Sequence, residues 1–331
     1  MKFLVCGGYG FIGSAFIRNR INEYPNDEII NIDNLSIGSN EKNLASINEK
    51  NYNFIKGDIT DLKLIEKSSR DVDVIINFAA ETHVDRSISN PRPFIDTNVI
   101  GTYSLLEAAK KNEKIFFHIS TDEVYGSLEL NKKPFTEKDN LKPSNPYSAT
   151  KASADLLVQS YIRTYKTRCI ITRCTNNFGA FQFPEKLIPK TIIRAKKDLQ
   201  IPLYGDGNQS RSWIFVLDHI NAIDLLIKKG KLGEIYNITS WNEVSNKKIV
   251  ETILKIMKKS TSLIEFVNDR PGHDKRYSID SSKIKDELGW EPKYDFTKVL
   301  EQTVKWYLEN QEWWNPLITE QTLHPQPWTV N

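Results

Sequence analysis

The chain opens with a short apolar run, a cluster of glycines and a second apolar run, and this order restricts the fold more than any other feature. Residues 2–6 read KFLVC, Gly7, Gly8, Gly10 and Gly13 follow, and Phe11 and Ile12 open a helical pattern. A strand, a glycine turn and a helix in this order let the backbone approach a pyrophosphate, with N–H donors at the helix N-terminus. The pattern predicts the first βαβ unit of a dinucleotide-binding sheet.

The second apolar strand pattern ends on an acidic residue. Residues 28–33 read EIINID, so Asp33 closes this strand after the glycine turn. In dinucleotide-binding sheets an acidic residue about 20 positions past the glycines binds the adenosine ribose. A carboxylate there repels a 2'-phosphate, and no arginine follows directly, so NAD is predicted rather than NADP. The alternative is that Asp33 only caps the next turn.

Further apolar strands alternate with helical segments. Strand patterns at Tyr52–Lys56 and Val72–Ala79 are separated by a helical pattern at Leu62–Ser69, and Pro93–Lys111 is helical again. This alternation predicts an α/β fold with a Rossmann-type doubly wound parallel sheet. We expect an NAD-binding domain at 1–175, to which residues around 211–237 return, and a smaller mixed α/β substrate lobe at 176–331.

A strand in the middle of the chain ends in a cluster of reactive side chains. Residues 116–126 read FFHISTDEVYG, which places Thr121, Asp122 and Glu123 together at the strand end. Tyr147 and Lys151 follow at i and i+4, so on a helix they share one face. A hydroxyl, an acid, a base and a Tyr/Lys pair predict proton and hydride transfer.

His83 lies in the loop AAETHVDRS at 79–87, which follows the fourth predicted strand. Ligands bind at the carboxyl ends of such strands, so His83 is a candidate base. A structural or orienting role is favoured, because the carboxylates nearby already suffice.

The second half of the chain carries isolated basic residues in segments rich in Pro and Gly. Lys186, Arg211, Arg270 and His273 are the candidates. Donors of this kind are expected in a lobe that binds a phosphorylated ligand. Taken singly, each is equally well read as a solvated charge. An aromatic stripe near the C-terminus (Trp306, Tyr307, Trp313, Trp314) is more typical of core or interface packing than of a ligand site.

Charge and cysteine content exclude several classes of partner. The 45 basic and 42 acidic side chains leave a net charge of +3, which predicts no nucleic-acid surface. The three cysteines (Cys6, Cys169, Cys174) show no CxxC spacing, so neither a disulfide framework nor a metal site is expected. The opening MKFLVCGGYG lacks the apolar core of a signal peptide, and no run has transmembrane length. A cytoplasmic protein without a membrane partner is expected.

These motifs together resemble the extended short-chain dehydrogenase/reductases, and within them the dTDP-glucose 4,6-dehydratases. The similarity runs nearly end to end, through GGYGFIG, AAETHVDRSI, NVIGT, HISTDEVYGSL, PYSATKASAD, TNNFGAFQFPEKLIP, DRPGHDKRY, ELGW and WYLENQEWW. Thr121, Asp122 and Glu123 are the most specific part, since related epimerases and decarboxylases lack the adjacent acid and base. The chain departs from the family pattern at Cys6, Ser212, Leu217 and the loop NLSIGSN after Asp33.

The resemblance implies an internal redox elimination that regenerates NAD in each turnover. Tyr147 would act as base on the C4 hydroxyl of the glucosyl unit, with its phenolate favoured by Lys151, which would also hold the nicotinamide ribose. Thr121 would hydrogen-bond the C4 oxygen. Asp122, protonated, would donate to the departing C6 hydroxyl, and Glu123, ionised, would take the C5 proton.

The resemblance also implies the ligand contacts and a homodimer joined through helices such as Pro93–Lys111 and Tyr147–Arg163. The cofactor contacts would be Gly7, Gly10, Phe11, Ile12, Gly13, Asp33, Asn34, Leu35, Ser36, Asp58, Ile59, Ala79, Ala80, Thr97, Tyr147, Lys151 and Asn177. The substrate contacts would be Thr82, Thr121, Asn176, Lys186, Leu187, Pro202, Tyr204, Arg211, Asn242, Asp269, Arg270 and His273.

Three alternatives stay open at this point. A UDP-glucose 4,6-dehydratase would use the same residues on a substrate that carries uridine in place of thymidine. A nucleotide-sugar 4-epimerase would use Tyr147, Lys151 and NAD without needing Asp122 or Glu123. A module that senses NAD without turnover would need none of the four, as some proteins of this fold show.

Overall fold

The computed structural model describes residues 1–47 and 49–329. The strands are β1 (Lys2–Cys6), β2 (Glu28–Asp33), β3 (Tyr52–Lys56), β4 (Val74–Asn77), β5 (Ile115–Thr121), β6 (Cys169–Cys174), β7 (Asn176–Phe178), β8 (Ile201–Tyr204), β9 (Ser210–Phe215), β10 (Ile235–Ile238), β11 (Glu243–Ser245) and β12 (Ile264–Val267).

The helices fill the intervals between these strands and most of the C-terminal segment. They are α1 (Phe11–Glu23), α2 (Leu62–Ser68), α3 (Val84–Ser89), α4 (Arg92–Phe94), α5 (Thr102–Lys111), α6 (Pro146–Tyr165), α7 (Leu187–Lys196), α8 (Val216–Lys229), α9 (Asn246–Ile256), α10 (Ser282–Leu288), α11 (Phe296–Glu309), α12 (Gln311–Trp314) and α13 (Glu320–Leu323).

Within the described residues, seven strands form one parallel sheet in the order β10-β6-β5-β4-β1-β2-β3. Strands β4 and β6 are buried along their whole length, as expected of strands covered on both faces of a sheet. The strand order reverses at β1 and β4, and this is the place where doubly wound sheets bind ligands. The Rossmann-type sheet predicted from the sequence is therefore confirmed.

Helices cover both faces of this sheet. Ile17 of α1, Ile223 of α8 and Ile284 of α10 belong to the core on one face. Ile65 of α2 and Val158 of α6 belong to the core on the other. Burying apolar side chains on both faces supplies most of the free energy that holds the sheet together.

The remaining strands form two small sheets beside the central one. Strand β9 pairs with β7 in parallel and with β11 in antiparallel orientation, and β12 pairs with β8. Helices α7, α9 and α11 pack there around a core that includes Trp313 and Trp314, which are 7% and 2% exposed. The aromatic stripe is thus core packing. Of residues 211–237, α8 and the start of β10 join the layers of the central sheet, whereas β9 does not.

The helix expected at Pro93–Lys111 contains an irregular turn. Residues Ile95–Gly101 form a π-helical segment between α4 and α5. Asn98 in this segment accepts a hydrogen bond from Glu81 N and donates to Glu81 O and to Thr150 Oγ1. The wider turn therefore directs Asn98 onto the loop after β4 and onto α6, as π-turns near functional sites often do.

Candidate active site

A cleft of about 280 Å³ lies at the carboxyl ends of the central strands. Thr121, Asp122 and Glu123 line it from the end of β5, and Tyr147 and Lys151 line it from α6. The structure thus brings all five proposed catalytic residues into one cleft. Parallel strands place their carboxyl ends at the same edge, which is why residues far apart in the chain meet there.

Thr121 fixes the geometry of the two acidic residues that follow it. It caps the 3₁₀ turn Asp122–Tyr125 by accepting a hydrogen bond from Glu123 N at 3.3 Å. Its hydroxyl donates to Asp122 Oδ1 at 3.2 Å. Asp122 Oδ2 is buried without a hydrogen-bond partner in the described part of the chain. A buried, unpaired carboxyl oxygen in a cleft is available to a ligand hydroxyl.

The two carboxyl groups differ in their electrostatic surroundings. Burial and the neighbouring charge of Glu123 raise the pKa of Asp122 to about 8. Burial also raises the pKa of Glu123, but the cations of Arg270, Arg211 and Lys186 oppose that rise. Asp122 is therefore protonated at neutral pH and can act as an acid. Glu123 is the carboxyl group whose ionised form is stabilised by nearby cations.

Helix α6 begins with a capping box that positions Tyr147 and Lys151. Asn145 accepts from Ser148 N, and the Ser148 hydroxyl pairs with the backbone of Asn145. Tyr147 and Lys151 then lie one turn apart on the buried face of the helix. This reciprocal cap fixes the first turn, and with it the direction of both side chains.

Burial dominates the pKa values of Tyr147 and Lys151. Burial, followed by the charges of Glu123 and Cys174, raises the pKa of Tyr147 well above its ordinary value. Lys151 Nζ donates to Ile119 O at 2.8 Å, and burial lowers the pKa of Lys151 to about 8. Burial is thus the largest influence on the pKa of each side chain, and in both cases it disfavours the charged form.

The glycine turn fits a dinucleotide. Gly7 has φ +80°, and a Cβ there would lie 2.5 Å from Ala79 N. At Gly13 a Cβ would lie 2.3 Å from Gly7 O. Asp33 closes the loop by accepting from Tyr9 N and Leu35 N, each at 2.9 Å. This packing leaves a cleft of about 100 Å³ beside the glycines and Asp33, so the residues present suit the adenosine side of NAD.

Most of the predicted cofactor contacts line one of these two clefts. The smaller cleft is lined by Gly7, Gly10, Asp33, Asn34, Ser36, Ile59, Ala79, Ala80 and Thr97, and the larger by Phe11, Ile12, Gly13, Ala80, Tyr147, Lys151 and Asn177. Leu35 and Asp58 line neither. The carboxylate of Asp58 accepts hydrogen bonds from Thr60 and from Asn34 Nδ2.

A third cleft, of about 160 Å³, lies between the central sheet and the C-terminal lobe. The predicted substrate residues that line it are Thr82, Asn176, Lys186, Leu187, Pro202, Tyr204, Arg211, Arg270 and His273. Lys186, Arg211 and Arg270 bring three cationic groups to this cleft. Guanidinium and ammonium groups of this kind bind the oxygens of a diphosphate.

Three predicted substrate residues lie outside that cleft: Thr121, which lines the 280 Å³ cleft, Asn242 and Asp269. Asn242 O accepts from Trp213 N, and its side chain donates to Ser240 Oγ. Asp269 Oδ1 accepts from Arg270 N and lies 2.6 Å from His273 Nδ1. Asp269 therefore orders the side chains of its own loop, and Asn242 stabilises the connection between β10 and β11.

Sequence reasoning missed several residues that line this third cleft. They are Asp85, Glu185, Lys190, Asn246 and Tyr277. Glu185 belongs to the motif PEKLIP and Tyr277 to the motif DRPGHDKRY. Because Lys186 and Arg270 in these motifs were predicted to bind substrate, the other residues of the motifs could have been predicted as well. Asn246 begins α9 and reaches the cleft only through the fold.

His83 packs beside Glu185, and its surroundings do not favour a role as a base. Its Nδ1 lies 3.7 Å from Glu185 Oε1, and Arg86 Nε donates to the same carboxylate at 2.8 Å. Burial lowers the pKa of His83 to about 4. A side chain with so low a pKa is a weak base, which favours an orienting role for His83.

Within the described residues, no group of three or more metal-ligating side chains could hold a metal ion. The same part of the chain contains no helix with the length and apolar character needed to cross a membrane.

Comparisons with known proteins agree over nearly the whole chain. The family model described as GDP-mannose 4,6 dehydratase matches residues 4–303. A low-salt glycan biosynthesis protein from Haloferax volcanii is 49% identical over 314 residues, covering 94% of this chain and 100% of the relative. A dTDP-glucose 4,6-dehydratase from Haemophilus influenzae is 47% identical over 334 residues, covering 94% and 98%.

A solved structure extends the agreement to three dimensions. It is a crystal structure of a dTDP-glucose 4,6-dehydratase from Streptomyces venezuelae with NAD and TYD bound. The two folds superpose with a TM-score of 0.93 at 43% sequence identity, covering 96% of this chain and 100% of the other.

Proposed function

We propose that this chain, which belongs to the GDP-mannose 4,6 dehydratase family and resembles its dTDP-glucose 4,6-dehydratase members, converts dTDP-glucose to dTDP-4-keto-6-deoxyglucose. The observation that carries the proposal is the pair of adjacent carboxyl groups in one cleft with Tyr147 and Lys151. Asp122 has a pKa of about 8, and its Oδ2 has no partner within the described residues. The loss of water requires a proton donor for the departing hydroxyl and a proton acceptor for the hydrogen that leaves. An enzyme that catalyses this step is a hydro-lyase.

The cofactor of the proposed reaction is NAD, which related dTDP-glucose 4,6-dehydratase structures contain. When bound, NAD supplies reversible hydride acceptance, taking a hydride from C4 of the hexose and giving it back at C6. Tyr147 removes the proton of the C4 hydroxyl, while Thr121 hydrogen-bonds the C4 oxygen and Lys151 holds the nicotinamide ribose. The C4 ketone that results makes the C5 proton acidic.

The elimination itself is the work of the two carboxyl groups. Glu123 takes the C5 proton, the electron pair of the C5–H bond becomes the C5–C6 double bond, and the C6 hydroxyl departs as water with the proton of Asp122. Glu123 returns a proton to C5 when C6 is reduced. General acid–base groups placed in this way contribute about 10²- to 10⁴-fold each.

Two residues differ in protonation state at the end of a turnover. Tyr147 has gained the C4 hydroxyl proton, and Asp122 has lost its proton to water. Both line the same cleft, and the Thr121 hydroxyl beside them donates to Asp122 Oδ1. A proton must therefore return from Tyr147 to Asp122 before the next turnover.

The preference for thymidine is the finer part of the proposal. Ser212 and Leu217 depart from the family pattern, but neither lines the 160 Å³ cleft. Leu217 packs instead against the core on one face of the central sheet. Neither side chain therefore lines the cleft, and the similarity to dTDP-glucose 4,6-dehydratases supports dTDP-glucose over UDP-glucose.

The test is a product assay on dTDP-glucose beside UDP-glucose. The expected product is a 4-keto-6-deoxy sugar, detected by its absorbance in alkali, with faster turnover of dTDP-glucose. Faster turnover of UDP-glucose would show that the enzyme prefers uridine to thymidine. An epimerised sugar without a ketone would replace the dehydratase by a 4-epimerase, and NAD binding with no product would leave only a sensor.

The same proposal includes a homodimer joined through α5, α6 and the π-helical segment. Ile95, Ile100, Tyr103, Leu156 and Tyr165 on these elements are all more than 40% exposed, with Leu156 at 57%. Apolar side chains gathered on neighbouring helices favour burial against a second copy of the chain.

We further propose that the protein is cytoplasmic and that NAD and the nucleotide sugar are bound by different parts of the chain. Cys6, Cys169 and Cys174 are free, buried thiols, which suits a reducing compartment. Residues 1–175, together with α8 and β10, would bind NAD, and the rest of 176–331 would bind the nucleotide sugar.

A further inference from the structure

A line of hydrogen bonds runs from Glu123 into the protein and ends at its surface. The Tyr277 hydroxyl lies 3.2 Å from Glu123 Oε2 and donates to Asp274 Oδ2. The Ser144 hydroxyl donates to the other oxygen of Asp274. Tyr277 and Asp274 are 2% and 3% exposed, whereas Ser144 is exposed to solvent. Three residues therefore connect the proposed base with bulk water.

The structure holds this line in place from several directions. Arg211 stacks on the Tyr277 ring, with its guanidinium carbon 4.1 Å from the ring centre, and donates to Asp274 O at 2.8 Å. Gly272 has φ +66°, and a Cβ there would lie 2.8 Å from Ser144 O. The loop that carries Asp274 can therefore approach Ser144 closely only because residue 272 is a glycine.

The hydrogen count along the line requires a shared proton. A phenol has one proton, but the Tyr277 oxygen contacts a carboxyl group on each side. When Tyr277 donates to Asp274, its contact with Glu123 needs a proton on Glu123. When Tyr277 donates to Glu123, the proton lies on Asp274. The arrangement thus has two states that differ by the position of one proton.

From this geometry we infer that Tyr277, Asp274 and Ser144 form a proton relay, which exchanges the proton on Glu123 with solvent while the substrate fills the cleft. The inference rests on the proposed function, in which Glu123 takes the C5 proton. In one step the proton of Glu123 moves to the Tyr277 oxygen as the Tyr277 proton moves to Asp274. Asp274 then releases a proton to water at Ser144. The reverse order brings a solvent proton in, and no electrons move.

The relay has a clear use in the proposed reaction. A substrate seated in the cleft would exclude water from Glu123, and a buried carboxyl group tends to keep its proton. Glu123 must nevertheless be ionised before it can take the C5 proton. A route through Tyr277 and Asp274 lets Glu123 reach the ionised state after the cleft has been filled.

The test follows hydrogen at C5 during a single turnover of dTDP-glucose in D₂O. The product is reduced immediately with borohydride, so that non-enzymatic exchange next to the ketone stops, and its C5 deuterium is measured by mass spectrometry. The wild-type product is expected to carry solvent deuterium at C5. Asp274→Asn, which cannot accept the proton, is expected to lower the ratio of C5 deuterium to protium by about tenfold or more.

Two further variants complete the design. Tyr277→Phe breaks the relay at another point and is expected to behave like Asp274→Asn, so one of them suffices if the other does not fold. Asp280→Asn is the matched control, because Asp280 caps Ser282 in the same segment and makes no contact with the relay. It is expected to keep the wild-type deuterium content.

The outcomes separate the relay from the proposed function. A general catalytic defect slows chemistry and gives exchange more time, so it would raise C5 deuterium rather than lower it. Wild-type deuterium content in Asp274→Asn or Tyr277→Phe would overturn the relay, as would a wild-type product without C5 deuterium. Failure of the wild-type protein to form any 4-keto-6-deoxy product would instead refute the proposed function.

Discussion

Arg270 Nη1 lies 2.8 Å from Asp85 Oδ1, and this ion pair joins the C-terminal lobe to α3 beside the central sheet. Tyr204 donates to the other oxygen of Asp85 at 2.9 Å. Asp85 is 2% exposed. One buried carboxylate therefore holds two of the proposed substrate residues in the nucleotide cleft.

Asp85→Asn is expected to leave Arg270 as a buried charge without its partner. The free energy of unfolding should fall by roughly 3 kcal/mol, as for other broken buried pairs. Thymidine diphosphate should raise the Tm of this variant more than that of the wild type, because its phosphates supply the missing negative charge. Asp198→Asn, which removes the exposed pair with Lys259, is the control and should leave the free energy of unfolding close to the wild-type value. Equal thermal shifts in Asp85→Asn and wild type would contradict this account.

Asp122→Asn and Glu123→Gln should keep NAD binding but slow the elimination by about 10²- to 10⁴-fold, since each removes a proton donor or acceptor. Formation of the 4-keto-6-deoxy product gives the rate, and titration with NAD gives the affinity. Turnover at the wild-type rate in both variants would refute the two roles.

The raised pKa of Asp122, about 8, predicts how its contribution to stability depends on pH. The unfolded chain loses this proton near pH 4, whereas the folded protein keeps it until about pH 8. Between these values a rise in pH favours the unfolded state. Relative to wild type, Asp122→Asn should therefore gain stability from pH 5 to pH 8 and change little above that. Urea unfolding at several pH values measures the difference, and parallel curves for the two proteins would speak against a protonated Asp122.

The contribution of Asp155 to stability should depend on pH in the opposite sense to that of Asp122, because its pKa is lowered in the folded protein. Burial alone would raise its pKa, but the charge of Arg173, 2.7 Å away, lowers the pKa to about 2. This contribution, roughly 2 to 3 kcal/mol, is present above pH 4 and is lost as the pH falls toward 2. Asp155→Asn should lose stability at pH 7 and show a flatter decline below pH 4. Asp198→Asn, which breaks an exposed pair with Lys259, should follow the wild type; an equal decline in Asp155→Asn would show that the pair is not the cause.

Leu156→Glu should convert the proposed dimer to a monomer, because it places a charge among the exposed apolar side chains of α5 and α6. Light scattering after gel filtration measures the mass. Leu130→Glu is the control, since Leu130 is 73% exposed in a loop outside these helices. A Leu156→Glu protein that stays dimeric would move the interface elsewhere.

The sequence predicted the parts of the site that local patterns encode. The glycine turn and Asp33 follow from the chemistry of one βα unit, and Tyr147 and Lys151 follow from helical spacing. Where prediction fell short, the cause was contact between distant segments. Asn246 reaches the nucleotide cleft and Asn242 does not, because β11 turns between them to pair with β9. The pKa of Tyr147 rises chiefly because the side chain is buried, and no spacing rule contains burial.

The sequence by itself determined the order of strands and helices and the reactive residues at their ends, since backbone preferences and apolar periodicity act over a few residues. Only the tertiary structure decided which charges face one another. Tyr277 and Asp274 meet Glu123 and Ser144 across more than a hundred residues of chain. The electrostatic energy of such groups depends on distance and burial, and both quantities exist only after the chain has folded.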